Sequence, residues 1–277
     1  MTLRPWRSAL YIPASKPRAM DKARGLDADA LIFDLEDAVT PAEKPAAREA
    51  LAVALKAGGH GPRACLVRIN GLSTPWGEED LAALAALRPD GVLLPKVGAA
   101  EDLSAVAARL PGLPLWAMIE TPRGVLAAAE IAAHPGLEGL VLGTNDLAAE
   151  LGARSRAGLA HALQHTLLAG RAAGRIVLDG VYNAFRDEAG LRAEAEEALA
   201  WGFDGKSLIH PGQIAPVNEV FTPSPEAQAA ARALIAAHRQ AEAAGQGVAV
   251  HEGRIVESLH VAAAEALLAR ATLAGPR

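Results

Sequence analysis

Eight short apolar runs alternate with Ala-rich helical stretches along this chain, and that alternation leaves few folds open to it. The runs span residues 8–13, 30–34, 65–70, 91–96, 115–120, 139–143, 176–180 and 203–209. Most are apolar nearly throughout, as expected for parallel strands covered on both faces. Helical patterns lie between them at 41–55, 78–87, 99–110, 123–133, 157–173 and 187–201, with Thr40 as the N-cap of the first. Gly25, Gly58, Gly174 and Gly202 stand where a helix C′ residue is wanted. Eight such units in 277 residues predict an α/β fold, a (β/α)8 TIM barrel. A doubly wound open sheet is the competing layout. It usually needs fewer strands, and no Gly-x-Gly-x-x-Gly follows the first one.

The barrel is expected over residues 1–220. Residues 221–277 begin with the Pro-punctuated break Phe221-Thr222-Pro223-Ser224-Pro225. Two helical runs follow, 226–244 and 259–274, around a glycine-containing loop at 245–253. This extension is too small to bury itself alone and is expected to pack on the barrel or on a neighbouring subunit.

Charge and composition narrow the function. The net charge is -5 and no Lys/Arg run occurs, so a nucleic-acid partner is not expected. No stretch approaches the roughly 20 apolar residues of a membrane span, and residues 1–8 have no apolar signal core. The lone Cys65 sits in an apolar run and reads as a buried strand residue of a cytoplasmic protein.

Barrel enzymes build their sites at the C-terminal ends of the strands. Here those ends carry Asp34-Leu35-Glu36-Asp37, Arg68-Ile69-Asn70, Pro95-Lys96, Glu120-Thr121 and Asn145-Asp146. Strand 7 ends in Asp179, with Tyr182 and Asn183 beyond it, and strand 8 carries Lys206 ahead of His210. Charge gathered at one end of a closed barrel is costly unless metal, ligand or partner charge balances it, which argues for an enzyme. Glu120 and Asp146 fall one strand-helix step apart. Side by side they suit Mg2+ with open positions for water and substrate oxygens; the alternative is a pair of helix N-caps or ion-pair partners. Arg68 and Lys96 either bind a substrate carboxylate or balance the acidic cluster. His161 and His165 have zincin spacing without the catalytic Glu and read as an outer-face helical pair. The 58–61 glycine run lacks a P-loop Lys-Ser/Thr and reads as a turn. Trp201 reads as core packing.

Taken in order, Arg7-Ser8-Ala9-Leu10-Tyr11-Ile12-Pro13, Asp34-Leu35-Glu36-Asp37-Ala38-Val39, Val67-Arg68-Ile69-Asn70, Leu94-Pro95-Lys96, Ile119-Glu120-Thr121, Gly143-Thr144-Asn145-Asp146-Leu147 and Gly205-Lys206-Ser207-Leu208-Ile209-His210-Pro211 resemble the HpcH/HpaI aldolase and citrate lyase beta-subunit family, in its CitE-like CoA-ester lyase branch. The resemblance implies a Mg2+-dependent carbon-carbon lyase, usually a homotrimer or homohexamer. It would cleave a 3-hydroxyacyl-CoA thioester such as malyl-, citramalyl- or citryl-CoA to acetyl-CoA or a homologue and a 2-oxo acid. It assigns Glu120 and Asp146 as metal ligands and Arg68 to the oxo-acid or enolate oxygen. Glu36 and Asp37 would order the metal's waters, and Thr121 and Asn145 would hold the oxo acid. Lys16 and Arg18 would meet CoA phosphates. Glu257 stands where lid-bearing relatives often carry a catalytic Asp. Two other activities stay open: a CoA-independent 4-hydroxy-2-oxo acid aldolase, and a carrier-dependent lyase subunit.

Overall fold

A computed structural model describes residues 4–245 and 248–275. The barrel unit, Trp6–Asn218, and a smaller unit from Glu219 onward with the residues before Trp6 form separate contact clusters. The barrel unit is a closed ring of eight parallel strands in sequential order. It begins with β1 (Ser8–Pro13), α1 (Pro17–Ala23), β2 (Ala30–Asp34) and α2 (Lys44–Ala57). It continues through β3 (Ala64–Arg68), α3 (Gly77–Leu87), β4 (Gly91–Leu94), α4 (Ala100–Arg109) and β5 (Leu115–Ile119). Next come α5 (Pro122–Leu126), α6 (Ala128–Ala133), β6 (Leu137–Leu142), α7 (Thr144–Leu151) and α8 (Ala160–Ala172). β7 (Ile176–Asp179), α9 (Glu188–Trp201), β8 (Gly205–Leu208) and α10 (Ile214–Phe221) complete the sequence. β1 pairs with both β2 and β8, which closes the ring.

Alternate strand positions fill the interior. Ala30 and Ile32, Ala64 and Leu66, Trp116 and Met118, and Val141 belong to one buried cluster. Trp116 is the largest fully buried side chain and packs against Trp6 with ring centroids 4.5 Å apart. It fits because neighbouring β6 carries Gly139, where a Cβ would overlap the indole. A barrel of eight strands leaves an interior just wide enough for side chains, so large residues face small ones.

Local details depart from the sequence reading in instructive ways. The expected helix 41–55 begins as a 3-10 turn, Pro41–Glu43, before α2. Thr40 makes no cap; its hydroxyl donates to Glu43 Oε2 at 2.8 Å. The expected helix 123–133 is two helices, α5 and α6. Gly58, Gly174 and Gly202 have positive φ as expected, but Gly25 does not. The left-handed residue after α3 is Arg88, at φ 45°. Trp201 is half-buried rather than core, under the Arg156 guanidinium.

The smaller unit holds α11 (Pro225–Ala243), β9 (Ala249–His251), β10 (Arg254–Val256) and α12 (Ser258–Leu273). Part of the expected 245–253 loop is thus a strand; residues 246 and 247 of it lie outside the described residues. β9 and β10 pair antiparallel through the two-residue connection Glu252-Gly253. Both connecting residues have positive φ, 49° and 73°, the requirement of a type I′ hairpin turn. Glu in place of the usual Asn or Asp hid that signal. α11 and α12 share a small core of Ala231, Ile235 and Ala264, while Val250, Ile255 and Leu259 stay exposed. Among the described residues, no helix is long and apolar enough to cross a membrane.

Candidate active site

The same period of two that fills the barrel delivers its chemistry. In β2 the inward series Ala30, Ile32 ends at Asp34; in β3, Ala64 and Leu66 lead to Arg68. In β5, Trp116 and Met118 lead to Glu120, one residue past the strand. These polar ends open on a cavity of about 310 Å³ whose lining includes Tyr11, Asp34, Asp37, Arg68, Met118, Glu120, Asn145 and Asp146.

Arg68 forms the floor. Its Nε and Nη2 donate to Asp34 Oδ1 and Oδ2 at 2.7 and 2.6 Å. The guanidinium carbon lies 4.8 Å from the centroid of the Tyr11 ring. Nη1 lies 3.1 Å from Glu36 Oε2 and 3.6 Å from Asp37 Oδ2. Burial works against the guanidinium charge, but the Asp34 hydrogen bonds and surrounding anions outweigh it and raise its pKa. Burial likewise raises the Tyr11 phenol, whose hydroxyl contacts Met118 Sδ at 3.6 Å. Asp34 also accepts from the backbone N–H groups of Glu36 and Ala38 at 2.9 and 3.0 Å, which fixes the loop carrying Glu36 and Asp37.

On the acidic side of the cavity four carboxylates, Glu36, Asp37, Glu120 and Asp146, face two cations, Arg68 and Lys96. Burial, reinforced by the Glu36 carboxylate, pushes the Glu120 pKa up to about 7. Burial also raises Glu36, against the pull of Arg68. Although Glu36 Oε2 stands near Arg68 Nη1, it is buried without a hydrogen bond in good geometry. Lys96 stands in the cluster: its N–H donates to Glu120 Oε1 at 2.7 Å, and its Nζ lies 3.4 Å from Glu36 and 3.6 Å from Asp146. Burial opposes the ammonium, yet Glu36, Asp37, Glu120 and Asp146 together raise its pKa.

These features fit a hard divalent cation. Glu120 and Asp146 line one cavity and their oxygens suit Mg2+; Glu36 Oε2, ion-paired with Arg68 at 3.1 Å but without a hydrogen bond, can also accept from a metal-bound water. Among the described residues, no three His, Cys, Asp or Glu side chains make a complete metal-binding group. An ion at this site therefore needs waters or substrate oxygens to fill its shell.

Other expected residues are placed differently. Asn145 lines the cavity and exchanges two hydrogen bonds with Asn183, at 3.3 and 2.6 Å. Thr121 is the N-cap of α5, its hydroxyl oxygen accepting from Gly124 N–H at 3.0 Å, and it is not among the cavity-lining residues. Lys16 and Arg18 are exposed and do not line the cavity; Lys16 pairs with Glu43 at 3.7 Å. Glu257 belongs to the smaller unit, exposed at the start of α12, where its N–H donates to His260 Nδ1 at 3.0 Å. Asp179 and Lys206 are fully buried but do not serve the cavity. They pair at 2.7 Å, and Lys206 reaches Glu194 on α9 at 2.6 Å. Asn70 is likewise structural, bonded to Asp80 and the Leu35 carbonyl. Asp34, Tyr11 and Met118 are the contributors that sequence reasoning left without a role. An Asp ending a buried strand in phase with Ala30 and Ile32 was the available signal for the first.

The model of the HpcH/HpaI aldolase/citrate lyase family matches residues 7–211, almost the whole barrel unit. The chain belongs to that family. Among curated relatives, a (3S)-malyl-CoA thioesterase of Cereibacter sphaeroides is 56% identical over 270 residues, covering 96% of this chain and 95% of the relative. An L-malyl-CoA/beta-methylmalyl-CoA lyase of Rhodobacter capsulatus is 35% identical, covering 97% and 95%. Among solved structures, CitE from Mycobacterium tuberculosis in complex with magnesium, acetoacetate and coenzyme A superposes with a TM-score of 0.82. That structure is 37% identical and covers 97% of this chain and 98% of its own. The barrel expected from the alternation is thus the family's barrel, and the family includes both thioesterases and lyases of malyl-CoA.

Proposed function

We propose that this chain is a Mg2+-dependent enzyme acting on malyl-CoA or a close 3-hydroxyacyl-CoA, and that its main reaction is hydrolysis of the thioester. The observation that carries the choice of reaction is the 56% identity, over nearly the full length, to a (3S)-malyl-CoA thioesterase. In that reaction water adds to the thioester carbonyl, the carbon-sulfur bond breaks, and the CoA thiolate takes up a proton.

When bound by Glu120 and Asp146, Mg2+ supplies Lewis-acid charge for substrate oxygens. Arg68 offers Nη1 to a carbonyl or carboxylate oxygen from a site where 9% of its side chain is exposed. A preorganised cation in so dry a place can contribute several kcal/mol to a developing oxyanion. Glu36 and Asp37 orient water. Asn145, braced by Asn183, holds the acid end of the substrate, and Thr121 supports the adjoining turn. Lys16 and Arg18, beyond the end of β1, bind CoA phosphates. Glu257, offered to the site of a neighbouring subunit, is the candidate general base, with the chemistry of an Asp one methylene further out.

Carbon-carbon cleavage is the second reading, favoured by the lyase relative and by the metal-and-arginine set that an enolate would need. One experiment separates the two. The purified chain is incubated with malyl-CoA, with and without Mg2+, and the products are read by mass spectrometry. Free CoA with malate is expected. Acetyl-CoA with a 2-oxo acid would replace hydrolysis by lysis, and unchanged turnover in Glu120→Gln would overturn the site. Loss of CoA release in Glu257→Gln, with Mg2+ binding intact, is the result expected of the base.

A further inference from the structure

Lys96 touches three of the site's carboxylates, Glu120, Glu36 and Asp146. Lys96 follows β4 with φ 52°, a left-handed conformation that is costly for a residue with a Cβ. That backbone turn aims its N–H at Glu120 Oε1, 2.7 Å away. Its other end reaches Glu36 Oε1 at 3.4 Å and Asp146 Oδ2 at 3.6 Å. The two cations of the site differ in kind. Arg68 is held by two short bonds to Asp34 and is nearly enclosed. The Lys96 side chain is 51% exposed, on a flexible stem, and its ammonium contacts are long.

We propose that Lys96 is a movable counter-cation that couples metal binding to substrate binding. The inference rests on the Mg2+ site proposed above. With the site metal-free, its ammonium partly neutralises Asp146 and Glu36, so an incoming divalent cation must displace it or endure its repulsion. Once displaced, its half-exposed ammonium stays near the cavity and can pair with the carboxylate of the entering substrate. Lys96 therefore weakens Mg2+ alone and strengthens Mg2+ together with the acid. By reciprocity the acid gains as much from the metal as the metal gains from the acid.

The test is calorimetric titration of Mg2+ into the full-length chain, without and with saturating pyruvate as a 2-oxo acid probe. Wild type is compared with Lys96→Gln and Lys96→Met, both of which keep the N–H to Glu120. Removing the charge should tighten Mg2+ alone by about three- to tenfold, the range for a half-exposed charge at this distance. It should also shrink the factor by which pyruvate tightens Mg2+. Equal or weaker Mg2+ binding in both folded variants, with the pyruvate factor unchanged, would overturn the role of Lys96. A wild-type chain that takes up no Mg2+ would overturn the metal assignment itself, and this inference with it.

Discussion

Arg68 and Asp34 meet across β2 and β3 through two parallel hydrogen bonds of 2.7 and 2.6 Å, and Asp34 is fully buried. Their strand positions are register partners, so the pair is an interstrand bridge as well as the floor of the cavity. The bonds leave only Nη1 of Arg68 facing the acidic side. Asp34→Asn should therefore release both Arg68 and the Glu36–Asp37 loop. Turnover should fall by about a hundredfold or more, as when a preorganised oxyanion donor is lost. Breaking a buried pair from one side should cost about 3–5 kcal/mol in urea unfolding. Wild-type stability together with wild-type turnover would exclude the positioning role.

Gly143 closes β6 against Glu120. A Cβ there would overlap the Glu120 Cβ and Oε2, so the carboxylate needs the missing side chain. Gly143→Ala should push Glu120 aside, weaken Mg2+ more than tenfold by calorimetry and cost about 1–3 kcal/mol of stability. Retained Mg2+ affinity in a folded Gly143→Ala would separate Glu120 from the metal.

His60 carries a pH dependence unrelated to the site. It is buried edge-on against Phe33, ring centroids 5.5 Å apart, and its Nε2 has no hydrogen-bond partner. Burial first, then the charges of Arg24 and Arg63, lower its pKa below the ordinary value. A depressed histidine favours the neutral form in the folded state. Its contribution is present above about pH 6.5, the unfolded value, and is lost as pH falls through the folded one. The melting temperature should thus fall more steeply in wild type than in His60→Leu below about pH 6.5. The other titrating groups, common to both proteins, cancel in the comparison, and parallel curves would dismiss the effect.

Arg88 ends α3 at φ 45° and is exposed. Its contact with the Pro111 carbonyl is long, 3.4 Å. Left-handed backbone costs a side-chain-bearing residue about 1–2 kcal/mol, partly offset because glycine loses more freedom on folding. Arg88→Gly should therefore stabilise the chain by about 0.5–1 kcal/mol, a rise of roughly 1–4 °C in melting temperature. A decrease would mean that the Arg88 side chain contributes more than its geometry suggests.

The barrel was legible because its signal is repeated. The eight buried strands must be largely apolar on both faces, and the helices that cover them must each present an apolar stripe, so the pattern survives local noise. Glu120, Arg68 and Asp146 were legible for the same reason, as polar residues ending apolar runs. Position alone misled elsewhere. Lys206 and Asp179 also belong to strands near this end, yet they pair with each other and with Glu194. Thr121 lies next to Glu120, yet its hydroxyl caps α5.

The sequence by itself determined the strand count, the parallel order and which carboxylates stand at the strand ends. Those follow from hydrophobic periodicity, which every residue of an element repeats. Only the tertiary structure decided which neighbours those carboxylates meet. The two-bonded grip of Asp34 on Arg68 depends on the register between β2 and β3. The reach of Lys96 to Glu120, Glu36 and Asp146 depends on one left-handed residue and on the loops after β2 and β5 and the first turn of α7, which barrel closure brings together. Register and closure arise from contacts between residues distant in the chain, so no local run of sequence encodes them.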